Sequence, residues 1–316
     1  MAGDFATACA QAPVMLTDGG IETRLIFEHH LDLPEFASFL PLLDEAERGV
    51  LAAIYDSYLA VAAESGLPMQ IGTPTWRAHP ECLTRLGHGG PDALARINGM
   101  AVTLLQERRR AAGLEDSVYI AGVIGPRRDG YDPVQAPGSE EAADYHRVQA
   151  ETLAGLGVDL LYAPTFASAG ELLGVACAMA ATGRDYALAP VIGEDAAMPD
   201  GTPIDRAIAA IDGRAPRPPL HYMVGCVHPS RFRRALPPGP KVLHGRIAGL
   251  KANASELPPE ELDRLDHLDE GVAETFGVQM ASLHDSHGLT VLGGCCGTNQ
   301  RHIAALARNL TVSVRS

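Results

Sequence analysis

Residues 290–309 read TVLGGCCGTNQRHIAALARN. A short apolar run, Thr290 to Gly293, gives way to glycines and two adjacent cysteines, and then to a helical pattern from Asn299 to Asn309. Strand, turn and helix make one βα unit, and the same unit recurs upstream. Apolar runs at Val14 to Thr17, Met69 to Thr73, Val118 to Ile124, Asp159 to Ala163, Ala187 to Ile192, Tyr222 to Val227 and Val242 to Leu250 bring the strands to eight. Helical patterns fall between them at Asp44 to Glu64, Asp92 to Ala112, Ser139 to Leu156, Ala169 to Thr182, Pro203 to Ile211, Pro229 to Arg234 and Pro259 to Gln279. Each strand is apolar enough to be covered on both faces, which argues for a parallel sheet of the α/β class. Eight repeats close such a sheet into a (β/α)8 TIM barrel. An open doubly wound sheet would carry a glycine-rich phosphate loop after its first strand, and Asp18-Gly19-Gly20-Ile21-Glu22 is not that loop. No linker interrupts the pattern, since the proline-rich stretches Arg214 to Leu220 and Leu236 to Pro240 are short loops around the sixth strand. Residues 1–316 are therefore expected to form a single domain.

Composition narrows the partners. The chain has 316 residues, 46% hydrophobic and 20% charged, with 25 Lys and Arg against 39 Asp and Glu for a formal charge of -14. Such an acidic surface repels phosphate backbones and anionic lipids, so neither nucleic acid nor membrane is an expected partner. The one tight basic run, Arg108 to Arg110, lies late in a helix, where cations favour the negative end of the dipole. The longest stretch free of Asp, Glu, Lys and Arg, Ser286 to Gln300, contains four glycines and is too short to span a bilayer. Asp4 stands where a signal peptide would carry a cation, and no apolar core follows it, so a cytoplasmic location is expected. Six irregularly spaced cysteines do not make a secreted disulfide framework.

Three of those cysteines have a special placement. Cys295 and Cys296 end the eighth strand between glycines, and Gly225-Cys226 ends the sixth, so all three thiols reach the barrel's C-terminal mouth, where such folds place their active sites. Adjacent strand residues point to opposite faces, so both sulfurs can meet one ion only where the backbone leaves strand geometry, which glycine allows. Three thiolates with an open fourth corner are the donor set of a catalytic Zn2+ site, made here by Cys226, Cys295 and Cys296. Cys9, Cys82 and Cys177 lack this placement and read as packing or surface residues.

With these motifs in view, the chain resembles the homocysteine S-methyltransferase family. The resemblance rests on Thr17-Asp18-Gly19-Gly20, Thr73-Pro74-Thr75-Trp76, Gly125-Pro126, Gly157-Val158-Asp159-Leu160-Leu161, Gly225-Cys226 and Gly293-Gly294-Cys295-Cys296-Gly297, in order over about residues 14 to 306. It implies a zinc-dependent methyltransferase in which a substrate thiol, homocysteine foremost, takes the fourth position and receives a methyl group to give methionine. It places Asp18 beside the substrate as a catalytic and binding carboxylate, with Gly19, Gly20 and Glu22 in the same loop. The partners are then a small-molecule thiol and a free methyl donor, because 316 residues leave no room for folate and cobalamin modules. Oligomeric state is left open. Zinc deprotonates a thiol that would otherwise be mostly protonated at neutral pH, and an onium donor departs as a neutral group. A methyl-onium cation is held by aromatic faces, for which Trp76, Tyr162, Tyr131 and Phe27 are candidates.

The substrate loops depart from the family. The fourth strand of relatives typically ends Phe-Glu-Thr, with the glutamate expected to hold the amino group of the amino-acid substrate; here Pro164 stands in its place. Asn usually precedes the sixth-strand cysteine where this chain has Gly225, and Gly-Pro-Tyr-Gly reads Gly125-Pro126-Arg127-Arg128. Either Glu22 or Glu194 supplies a relocated carboxylate, or the acceptor is another thiol carrying an anion that Arg127 or Arg128 meets. Demethylation of an onium compound for catabolism and a catalytically silent zinc protein are the other readings. His228, His284 and His287 read as capping or surface residues, with His228 the best placed to touch the site from outside.

Overall fold

Strands apolar on both faces need cover on both, and here they find it by closing on one another. The computed structural model describes residues 4–238, 245–257, 261 and 267–313. Strands β1 (Met15–Thr17), β2 (Met69–Gly72), β3 (Val118–Val123), β4 (Leu160–Phe166), β5 (Tyr186–Pro190), β6 (His221–Gly225), β7 (Ile247–Ala252) and β8 (Val291–Gly294) pair in parallel in sequence order, and β8 returns to β1. The result is one closed (β/α)8 barrel, and the open sheet is ruled out.

Around it run α2 (Glu45–Ser65), α3 (Pro80–Arg85), α4 (Ala93–Ala111), α5 (Ser139–Gly155), α6 (Ala169–Ala181), α7 (Ile204–Arg214), α8 (Pro229–Ala235), α9 (Ala273–His287) and α10 (Gln300–Ser313), preceded by α1 (Phe5–Gln11). Helix α2 shows how local signals place them. Asp44 caps it by accepting from the Ala46 and Glu47 amides, Gly66 ends it at a left-handed φ of 69°, and Leu51, Ile54, Tyr55, Tyr58, Leu59 and Ala62 form its buried stripe. Each leucine or isoleucine of that stripe taken from water contributes about 1.5–3 kcal/mol. Two of these residues do more: Tyr55 donates to the Gly72 carbonyl and Tyr58 to that of Gly20, fixing the ends of β2 and β1. No helix among the described residues is long and apolar enough to cross a membrane.

Inside the barrel, Met15, Tyr119, Leu160, Tyr162, Ala187, Met223 and Val291 fill the floor, and Phe5 of α1 plugs the N-terminal end against Tyr119. Toward the other end the inward positions turn small. Gly72, Ala189, Gly225 and Gly293 carry little or no side chain there and leave a mouth above the floor, toward which Tyr162 brings its hydroxyl.

Four sequence expectations shift. Strand β4 runs three residues past Ala163, through Pro164, because a bulge between Pro164 and Phe166 absorbs the proline's missing donor. Strand β6 stops before Cys226, whose φ of 56° breaks the strand. Strand β7 extends to Ala252 rather than stopping at Leu250, and the expected start at Val242 lies outside the described residues. Helix α9 begins at Ala273 and ends at His287, whereas the expected helix ran from Pro259 to Gln279. Pro259 lies outside the described residues, and Gly271 takes a positive φ with its amide on the Asp269 carboxylate, which holds 267–272 as a loop. Helices α1 and α3 were not anticipated, each being too short to show a period.

Candidate metal and substrate site

The cysteine loops are held by the end of β7. The Lys251 carbonyl accepts from the Cys226 amide at 3.0 Å, the Ala252 carbonyl from the Cys295 amide at 2.7 Å, and the Ala254 amide donates to the Cys296 carbonyl at 3.0 Å. The Asn253 side chain completes the bracket by donating to the Cys226 carbonyl at 3.0 Å. On the far side Thr298 bonds both the Cys295 carbonyl and the Gly20 amide, tying the first loop to the cysteine turn. Glycine is required where these segments meet. A Cβ at Gly294 would lie 2.0 Å from Thr298 Oγ1, and one at Gly20 would lie 2.9 Å from the Cys295 carbonyl.

Cys226 and Thr165 both sit at positive φ, 56° and 63°, a conformation that costs a non-glycine residue on the order of 1–3 kcal/mol. The strain aims the side chains: Thr165 Oγ1 lies 3.6 Å from Cys226 Sγ. Cys226, Cys295 and Cys296 then place their sulfurs within 4.8 Å of one another, with Cys226 and Cys295 2.9 Å apart and no disulfide between them. Hydrogen bonds from the Cys295 and Cys296 thiols hold Cys226 well below the ordinary thiol pKa. Cys295 and Cys296 are pushed well above it, first by their bonds to the Cys226 sulfur, as burial and the neighbouring negative charge disfavour further thiolates. Three convergent sulfurs that cannot all ionise alone, with one tetrahedral corner free of cysteine, suit a thiophilic divalent cation. Among the described residues this is the one group of His, Cys, Asp and Glu placed to hold a metal ion.

Beside the thiols lies a charged cluster. Asp18, buried at the end of β1, accepts from the Gly72 amide at 2.7 Å through one oxygen and from the Lys251 ammonium through the other. Burial opposes the Lys251 charge, but the Asp18 carboxylate outweighs it and the lysine pKa rises. Glu22 accepts from the Ser38 hydroxyl at 2.7 Å, and burial raises its pKa. Tyr162 is buried with its hydroxyl unpartnered, and its charged neighbours are Cys295, Cys226 and Asp18. Tyr131, from the loop after β3, lies near all three cysteines, and burial first and then these neighbours push its pKa well up.

Trp76 donates to the Pro164 carbonyl at 3.2 Å, and the Arg77 guanidinium stacks 4.0 Å over its ring. Gly19 and Gly20 pack against Tyr58, Thr298 and the Cys295 backbone. Phe27 is exposed on the turn Arg24–Glu28. Arg127 is spent between Glu81 and Glu141, and Arg128 also faces Glu81. Glu194 is paired on the outside with Arg231 and Arg234, which leaves Glu22 as the acidic side chain near Asp18 and Lys251. His228 caps α8 through Ser230, while His284 and His287 bond the Leu289 and Leu236 carbonyls.

Glu22 carries a pH prediction. Its folded-state pKa lies above the ordinary 4.5, so the folded chain holds that proton more tightly and loses stability as pH rises from 4.5 through the folded value. Glu22→Gln keeps an acceptor for Ser38 and removes the loss. The variant is expected to match the wild type in Tm at pH 4 and to exceed it by pH 8, by roughly 1.5 °C for each kcal/mol recovered in a chain of 316 residues. A constant difference across that range would refute the assignment.

Three free thiols converging at the C-terminal mouth of a (β/α)8 barrel form a group that could hold a metal ion where such barrels carry their active sites. Residues 15–310 match the family model for homocysteine S-methyltransferase, and the chain belongs to that family and is a methyltransferase. It is similar to the homocysteine S-methyltransferase of Escherichia coli (strain K12), with 25% identity over 317 residues that cover 93% of this chain and 94% of that one. Two crystal structures of the homocysteine methyltransferase MmuM from Escherichia coli share the fold. The metallated form has a TM-score of 0.74 and 20% identity over 96% of this chain and 98% of that one. The oxidized form has a TM-score of 0.74 and 21% identity over 97% of each chain.

Proposed function

We propose that Cys226, Cys295 and Cys296 hold Zn2+, and that the chain moves a methyl group from a small sulfonium or quaternary ammonium donor to homocysteine, giving methionine. Residues 1–316 act in this reading as one homocysteine-binding-type unit in the cytoplasm, a reducing compartment in which the three thiols stay free. The observation that carries it is the convergence of three sulfurs within 4.8 Å at the mouth of a barrel of this family. Zinc bound there supplies one thing, the thiolate form of an acceptor thiol at neutral pH. Everything else falls to the chain and its substrates.

The acceptor sulfur attacks the methyl carbon in line, a carbon–sulfur bond forms, and the bond to the onium atom breaks with its electron pair leaving on the donor. The acceptor's proton has gone to solvent, and the donor departs neutral, so no general acid is needed. Thiolates, Asp18 and Glu22 outnumber Lys251 at the mouth, an excess of negative charge that favours a cationic donor. Trp76 and Tyr162 are the proposed aromatic contacts. Arg77 already covers one face of Trp76, which leaves a donor its edge or other face. Asp18, Gly19, Gly20 and Glu22 are the proposed loop around the acceptor.

The test is metal analysis of the anaerobically purified chain, zinc-edge absorption spectra with and without homocysteine, and transfer from labelled onium donors. One zinc per chain, a change from three to four sulfur ligands and labelled methionine are expected. Absence of metal, or metal with no new sulfur ligand, would overturn the zinc site or the acceptor respectively.

A further inference from the structure

Lys251, one of two lysines in the chain, brings a positive charge into the mouth. Its backbone pairs with Gly225 on β6 and Gly293 on β8, so no side chain flanks it on either neighbouring strand. The arm reaches Asp18 on β1 and stays 14% accessible, within reach of a solute. An ammonium carries three donors, and among the described residues this one donates to Asp18 alone. The arginines nearby are not comparable. Arg127 and Arg128 face carboxylates, and Arg77 donates to the Pro126 and Arg128 carbonyls.

A second observation points to a ligand in the same space. The Tyr162 hydroxyl is buried and unpartnered, with Asp18, Cys226 and Cys295 as its charged neighbours. A buried hydroxyl without a partner costs free energy unless something arrives to meet it. Asp18, in contrast, has both oxygens engaged, and Pro164 offers no charge from β4. Within a mouth that is negative as a whole, Lys251 is therefore the one local group equipped to meet an anionic end of the acceptor.

We propose that Lys251 is the specificity residue that receives the carboxylate of the thiol acceptor, so that the acceptor class is small thiols bearing a carboxylate. The inference rests on the thiol-methylation reading above. A zwitterionic acceptor suits it, because carboxylate on Lys251 and ammonium toward Glu22 bring no net charge into a poorly solvated site. The β4 glutamate expected in relatives is then dispensable, which accounts for a proline at 164.

Calorimetric titration of the metal-loaded chain with homocysteine, its analogue lacking the amino group and its analogue lacking the carboxylate tests this directly. The wild type is expected to bind the first two within about 10-fold of each other and the third about 10- to 100-fold more weakly, the range of a charge-assisted hydrogen bond. Lys251→Met should weaken the two carboxylates by the same factor and leave the third within about 3-fold, whereas Lys251→Arg should preserve the preference. Equal losses for all three thiols, or wild-type binding of the carboxylate-free analogue as tight as homocysteine, would overturn the proposal. If Lys251→Met does not fold, the wild-type comparison and Lys251→Arg decide. Carboxylate preference without methyl transfer sinks the proposed reaction and spares this inference; methyl transfer without the preference does the reverse.

Discussion

Replacing Cys226 with alanine is expected to strip the chain of bound metal and to lower methyl transfer by about 100- to 1,000-fold. A four-ligand zinc site contributes about 10–16 kcal/mol at pH 7, or about 3 kcal/mol for each ligand, which is the stated factor in affinity. Cys226 is the hub of the three, since its sulfur lies 2.9 Å from that of Cys295 and 3.6 Å from Thr165 Oγ1. Its loss also leaves Thr165 at a strained φ without the sulfur it faces. The barrel should survive, because the inner floor and the strand-to-helix core contain none of the three site sulfurs. Metal analysis with circular dichroism separates the two effects. Cys177→Ala, on α6 and half-buried, is the matched control and should keep its metal. Full metal in Cys226→Ala, with unchanged turnover, would refute the assignment of the site.

The cysteines were legible in sequence because glycine beside a thiol at a strand end is a local signal with a local cause. The barrel was legible for a similar reason, since strand and helix periods alternate along the chain whatever the distant contacts are. What the pattern hid was set across the barrel. Lys251 and Asp18 are 233 positions apart and meet only after eight strands close, so no local pattern joins them. The end of β7 was equally invisible as the bracket for the cysteine loops, because three of its four bonds use backbone groups that any residue possesses. Pro164 misled in the opposite direction: a proline argues for the end of a strand, and a bulge let β4 continue to Phe166. Arg127, Arg128 and Glu194 looked like substrate contacts by loop position alone, whereas Arg127 and Arg128 pair with Glu81 and Glu194 pairs with Arg231 and Arg234.

Asp18→Asn is expected to cost about 3–5 kcal/mol of folding stability, the largest single effect in the mouth away from the metal. The side chain is 3% exposed and serves as a double acceptor, one oxygen for the Gly72 amide and one for the Lys251 ammonium. Asparagine has one acceptor. In either orientation its amide nitrogen points a donor at a donor, and a buried lysine loses its counter-charge beside strands that offer only glycine. Denaturant unfolding of the metal-loaded chain, with the slope checked for two-state behaviour, measures the loss. Adding Lys251→Met to Asp18→Asn removes the stranded charge and should return part of the stability, so that the double variant is more stable than Asp18→Asn alone. A double variant no more stable than Asp18→Asn would mean that the two side chains do not depend on each other, and the charged pair at the mouth would lose its role as the element that both shapes the site and reads the acceptor.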